Sequence, residues 1–144
     1  MQRVAKEFSE RSCGVFSGVI GAIDGWLVRI CCPSTKLDGV RNPGHYFSRK
    51  GFYALNVQAM VSKKKKVLWS AIGNLGSLHD SACFKESKLC EILTNKREEF
   101  QEKGYFLVGD SAYALRPYMM VPYDKATIAS AEDSFNFYLS SSRI

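Results

Sequence analysis

The order of apolar runs predicts an α/β domain built on a mixed sheet, in which three antiparallel strands are followed by a helix and then a parallel strand. Three observations carry this. A long apolar run, Val19 to Ile30, precedes two shorter alternating runs, Phe52 to Ser62 and Val67 to Ile72, and only Lys63 to Lys66 separate the last two, so they pair as a hairpin. A helical pattern follows from Leu78 to Leu93, with Ala82, Cys83, Leu89, Cys90 and Leu93 on one face. After it, Gly104-Tyr105-Phe106-Leu107-Val108 returns to strand formers.

Taken in order, residues Met1 to Ser17 form a polar lead-in with a short helix marked by Val4 and Phe8. The domain proper spans 18–144. Its first strand bends at Gly25. Pro33 to Lys50 holds Pro33, Gly39 and Asn42-Pro43-Gly44 with little apolar periodicity, so it is a long loop, and long loops in compact domains are more often functional than not. Gly73 to Ser77 is a turn, and Ser77 with Asp80 three residues later reads as a capping box opening the helix. Asn95 to Lys103 continues that helix or links it to the next strand. Arg116-Pro117 and Val121-Pro122 mark an irregular apolar connection, and Glu132 to Leu139 is a short final helix.

Two segments carry the chemistry. Val19-Ile20-Gly21-Ala22-Ile23-Asp24-Gly25 runs apolar into a single carboxylate, and Asp-Gly between apolar runs is also a hairpin-turn signal. The second segment, Phe106-Leu107-Val108-Gly109-Asp110, has the same form and favours the other reading, in which each strand delivers an aspartate from its C-terminal end. Two carboxylates that converge repel unless a cation lies between them, so Asp24 and Asp110 are candidate Mg²⁺ or Mn²⁺ ligands and catalytic residues for phosphodiester chemistry. Strand, strand, strand, helix, strand, helix is the order of an RNase H-like sheet, in which the first and fourth strands are neighbours and the two aspartates meet. Gly109-Asp110-Ser111-Ala112-Tyr113 lacks the second glycine of a nucleophile elbow, Tyr113 standing in its place, which argues against a serine hydrolase.

The net charge of +6 is concentrated. Between Pro33 and Lys66, Lys36, Arg41, Arg49, Lys50, Lys63, Lys64, Lys65 and Lys66 face Asp38 alone. A local basic patch is the footprint of a nucleic-acid backbone, here Arg49, Lys50 and Lys63 to Lys66, with a solvated loop or a nuclear-localisation-like cluster as its alternatives. His45, Tyr46 and Phe47 beside Arg49 suit contact with a splayed base or a phosphate. Cys13, Cys31, Cys32, Cys83 and Cys90 make an odd count without a C-x-x-C pair, so free, mostly buried thiols are expected rather than disulfides. His79 and Cys83 share a helix face and could combine with Cys31, Cys32 or His45 in a zinc site, but no second properly spaced pair exists, which argues against it. No apolar run approaches the roughly 18 residues of a membrane span and no signal peptide is evident, which predicts a soluble intracellular protein.

Ile20-Gly21-Ala22-Ile23-Asp24-Gly25, the segment Arg49 to Ala59, Gly76-Ser77-Leu78-His79-Asp80-Ser81 and Gly109-Asp110-Ser111-Ala112-Tyr113 together resemble the PIF/Harbinger-type DDE transposases and the nucleases derived from them. The resemblance implies an RNase H-like domain that uses a divalent metal (Mg²⁺ or Mn²⁺) for DNA strand cleavage and transfer in the nucleus, with a separate DNA-binding partner for targeting. By position, Asp24 and Asp110 match the family's first two acids as metal ligands, and His79 and Asp80 match a block near the site, where a supporting role is open. Trp26-Leu27 replaces the family's usual Thr-His. The family's third acid is a glutamate on a helix soon after a stretch like Phe135 to Ile144; this chain stops before it, and Glu132 precedes the matching stretch. The expectation is a C-terminally incomplete copy, either a nuclease or an inactive derivative that binds DNA or a protein.

Overall fold

The structure, a computed structural model, describes residues 1–11 and 14–143; Ser12, Cys13, Ile144 and the side chain of Arg11 lie outside the described residues. The predicted order of elements is present. Strands β1 (Val19–Arg29), β2 (Ala54–Val61), β3 (Val67–Leu75), β4 (Phe106–Val108) and β5 (Met119–Met120) form one sheet in the order β3-β2-β1-β4-β5. β1 pairs antiparallel with β2, β2 antiparallel with β3, and β4 lies parallel to β1 on its other side. This is the mixed α/β sheet of an RNase H-like fold.

β1 is central because it is the longest and most apolar run. It is flanked by β2 and β4, and its first five residues are buried. Pairing with β2 runs unbroken through Asp24↔Ala59 and Gly25↔Gln58, so Asp24-Gly25 is neither a hairpin turn nor a bend. β5, a two-residue strand parallel to β4, occupies what reads in sequence as an irregular connection. Met119-Met120 is too short to show a period, and only its register beside Leu107 and Val108 makes it a strand.

Helices cover both faces. From β3 at one edge the chain crosses one face and re-enters at β4: the crossing consists of three short helices, Asp80–Lys85, Lys88–Asn95 and Arg97–Glu102, rather than the single helix predicted from Leu78. The break comes at Ser87, whose hydroxyl caps the second of these helices by accepting the Cys90 N–H at 3.1 Å. The N-terminal helix α1 (Gln2–Arg11) and the last helix, Ala131–Arg143, cover the other face. In chain order the later helices are α2 (Asp80–Lys85), α3 (Lys88–Asn95), α4 (Arg97–Glu102) and α5 (Ala131–Arg143).

The sheet thus separates two apolar clusters. Ile20, Ile23, Phe84, Leu89, Leu93, Phe100, Leu107 and Met119 gather under α2, α3 and α4. Phe8, Phe16, Val19, Ala22, Val108 and Leu139 gather under α1 and α5. Phe8, Ile23, Leu93, Leu107, Met119 and Leu139 are all but fully buried, each stabilising the fold by about 1.5–3 kcal/mol. Among the described residues no helix is long and apolar enough to cross a membrane.

Candidate active site

Asp24 and Asp110 come together because β1 and β4 are parallel neighbours. Ala22 pairs with Val108 where the adjacent strands stand about 4.8 Å apart, and each aspartate lies two residues further along, Asp24 still within β1 and Asp110 just past the end of β4. Ala22 and Val108 both contribute to the cluster under α1 and α5, so two residues on, Asp24 and Asp110 emerge on that same face. Each carboxylate is held locally. Asp24 Oδ1 accepts the Gly25 N–H at 2.8 Å, and Asp110 Oδ1 accepts the Ala112 N–H at 3.0 Å in an Asx-type turn.

Asp24 is exposed as a residue, yet its carboxyl is pushed above the ordinary carboxylate range. Loss of water around the carboxylate is the largest cause; the Gly25 N–H opposes it, the negative charge of Asp110 adds to it, and Arg143 and Asp80 contribute smaller opposite effects. Arg143, at the end of α5, lines a cavity of about 270 Å³ with Asp24, Trp26 and Ser140. Glu132 sits at the other end of α5, about 16 Å away along the helix, and is exposed, so it does not complete the pair.

Asp80 approaches from the opposite face. It is the first residue of α2, with His79 as an N-cap that makes no side-chain capping bond, so the predicted Ser77–Asp80 capping box does not form. Its carboxylate turns inward instead: Oδ1 accepts Asn56 Nδ2 at 2.8 Å and Gln58 Nε2 at 3.2 Å. Gln58 in turn accepts the Tyr113 hydroxyl at Oε1, 3.0 Å away, and Asn56 also donates to the Leu78 carbonyl at 3.2 Å. Asn56, Gln58 and Tyr113 are buried, and burial first, then the charges of Asp80, Asp24 and Asp110, hold the Tyr113 phenol far above its ordinary range. It remains a hydrogen-bond donor at any physiological pH. The sequence signal for this network was two amides at i and i+2 inside an apolar strand, Asn56 and Gln58, which a core tolerates only when they are bonded.

A small cleft of about 150 Å³ opens beside this network, lined by Arg49, Lys50, Ser77, His79, Asp80 and Ala112 among others. The long loop reaches it because its short 3-10 turn, Pro43–Tyr46, is fastened to the strand-to-helix turn by Ser77 N–H donating to the His45 carbonyl at 3.1 Å. Gly76 packs there against the carbonyls of Ala54 and Tyr46, closer than any side chain would allow. Lys63 to Lys66 lie elsewhere, in the turn between β2 and β3. Lys63 Nζ donates to the Ser141 and Ser142 carbonyls at 2.8 and 3.4 Å, and Lys64 pairs with Glu7 at 3.2 Å.

The zinc arrangement is not present: among the described residues no three or more His, Cys, Asp or Glu side chains gather to hold a metal. Cys83 is buried, and burial first, then the charge of Asp80, pushes its thiol up to about 11, which makes it an inert thiol. Of the four described cysteines, all free, Cys83 and Cys90 are buried while Cys31 and Cys32 are exposed; Cys13 lies outside the described residues.

The sequence profile of the family described as DDE superfamily endonuclease matches residues 23–144, from the strand of Asp24 through the Asp110 turn to the last helix. The chain belongs to the DDE superfamily endonucleases. Related to this DDE domain are the proteins named "Putative nuclease HARBI1" of Xenopus laevis, Bos taurus and Homo sapiens, each 29% identical over 105 residues, or 73% of this chain. The chain spans only 27% of the length of these relatives. No solved structure matches the DDE domain.

Two carboxylates suit a divalent cation that takes one or two protein ligands and completes its shell with water and substrate phosphate, as Mg²⁺ commonly does. The donor set of this DDE domain fits such an ion. Asp24 and Asp110 offer hard oxygens, each spending one on a local N–H and keeping the other, and the lost hydration that chiefly raises the Asp24 carboxyl, with the smaller push from the charge of Asp110, is what a cation would relieve.

Proposed function

We propose that this domain is a metal-dependent DNA endonuclease of transposase ancestry, with Asp24 and Asp110 as its metal ligands. The observation that carries the reading is the parallel pairing of β1 with β4, which sets both aspartates on one face with Asp24 feeling the charge of Asp110. Bound Mg²⁺ or Mn²⁺ would supply activation of a water or a 3′ hydroxyl and neutralisation of charge on the leaving oxygen. The protein's own part is positioning. Arg49 and Lys50 line the cleft next to Ala112, in reach of a phosphate backbone entering the site, and Arg143 brings a guanidinium to the cavity that holds Asp24. Lys65 and Lys66 extend the positive field further out. In this reading sequence selection comes from outside these 144 residues, a separate DNA-binding partner being one source.

A second reading, binding of DNA or a partner protein without cutting, is favoured by one observation: the described residues bring no third metal-binding side chain to Asp24 and Asp110. Mn²⁺-dependent nicking of supercoiled plasmid separates the two. Nicking by the parent chain that disappears in Asp24→Ala and Asp110→Ala supports the nuclease, whereas retention of plasmid binding without nicking supports the second reading.

A further inference from the structure

The two aspartates are flanked by glycines that face the opposite side of the sheet, and the buried polar network touches both. Gly25 follows Asp24, and a side chain there would collide with the Asp80 carboxylate and with Gln58 Nε2. Gly109 precedes Asp110, and a side chain there would meet the Tyr113 ring at 2.9 Å. Between these contacts runs one chain of hydrogen bonds: Tyr113 hydroxyl to Gln58 Oε1, then Gln58 Nε2 to Asp80 Oδ1, with Asn56 Nδ2 donating to the same oxygen. It joins β2, α2 and the turn that carries Asp110, and it packs against β1 at Gly25.

We propose that Asp80, Gln58 and Tyr113 are the positioning residues of the aspartate pair, acting from the face of the sheet opposite the carboxylates. Asp80 bears on the strand at Gly25, Tyr113 bears on the strand at Gly109, and Gln58 fixes the distance between them. The spacing of Asp24 and Asp110 is thereby set from below, and with it the affinity for a divalent ion; this rests on the metal reading above. None of the three touches the ion. Their position explains why Asp80 stands close to Asp24 in charge yet does not join it in a ligand group. It also accounts for amides at two buried strand positions where apolar residues would pack at no desolvation cost.

Substitutions that remove one link at a time test this. Tyr113→Phe keeps the ring against Gly109 and deletes only the hydroxyl. Asp80→Ala leaves two buried amide donors without an acceptor, and Asp80→Asn restores an oxygen to them. Mn²⁺ binding to the full chain, followed by titration calorimetry, is expected to weaken about tenfold in Tyr113→Phe and ten- to a hundredfold in Asp80→Ala, the range for residues that orient ligands, and to recover in Asp80→Asn. Parental Mn²⁺ affinity in a folded Tyr113→Phe would overturn the proposal. If the parent itself binds no Mn²⁺ that depends on Asp24, the metal reading fails instead. The clamp is then read from exchange of the Ala112 amide, which Asp110 Oδ1 accepts: faster exchange in Tyr113→Phe and Asp80→Ala upholds it, and unchanged exchange refutes it.

Discussion

Arg49-Lys50 and Lys63 to Lys66 are both wholly basic in sequence and opposite in what their charges meet. Among the described residues neither Arg49 nor Lys50 has a carboxylate partner, and both border the cleft beside Asp80 and Ala112. In the other segment, Lys63 caps the last carbonyls of α5, where the helix dipole is negative, and Lys64 ties α1 through Glu7. A basic run is therefore a fastener where the fold brings carbonyls and carboxylates to it, and keeps its charge unspent where the fold leaves it facing a cleft. The acids differ in the same way. Glu7 has a cation, whereas the largest charge effect on Asp24 comes from another acid, Asp110, ahead of Arg143.

The comparison is sharpest in DNA affinity. Replacing Arg49 and Lys50 together by alanine is expected to weaken binding of a short duplex about tenfold near physiological salt. The slope of log affinity against log salt should fall by about 1.8, from two lost phosphate contacts. Lys65→Ala with Lys66→Ala should change both quantities less. Equal losses from the two double variants, measured by fluorescence anisotropy across a salt series, would break the distinction.

Stability should respond in the reverse order. Lys63→Ala removes two charge-assisted bonds to the end of α5, and with partial solvent screening the expected cost is about 1 kcal/mol, or a Tm lower by a few degrees. Lys50→Ala should leave the Tm unchanged within a degree or so, since its side chain is exposed and has no ion-pair partner among the described residues. A thermal melt of each variant without DNA decides this.

Much of this arrangement was legible in the sequence, because it rests on local signals that tertiary structure did not override. The strand periods of β1, β2 and β3, the lysine turn and the repeated strand-to-aspartate form were enough to place Asp24 beside Asp110. What escaped had no local signal. β5 exists only through its register with β4. Ser87 divided a helix whose apolar face continues across the break, and Asp80, three residues after Ser77, imitated a capping acid while its carboxylate was drawn inward by Asn56 and Gln58. These amides come from a strand 22 and 24 residues away, so no window of helical pattern contains the reason. Lys63 likewise meets carbonyls 78 and 79 residues distant, which is why charge density alone could not distinguish its role from that of Arg49.

The smallest expected effect concerns the acids and follows from the raised pKa of Asp24. Its folded value lies above the ordinary 3.8, so the folded chain holds that proton more tightly than the unfolded chain does. This group therefore favours folding while the pH is below its unfolded value, and that contribution is lost as the pH rises through the folded value. At neutral pH the ionised Asp24, short of water and next to Asp110, is a modest burden on the fold, discounted because the residue is exposed. Asp24→Asn should accordingly melt slightly higher than the parent at pH 7 without metal, and the difference should close on acidification toward pH 4. Adding Mn²⁺ at pH 7 should raise the parent and not the variant, because only the parent keeps both carboxylates for the ion. A parent and an Asp24→Asn variant that melt together at pH 7 would show that the site carries no such repulsion, and would place its two acids on the same footing as the paired charges of the lysine turn.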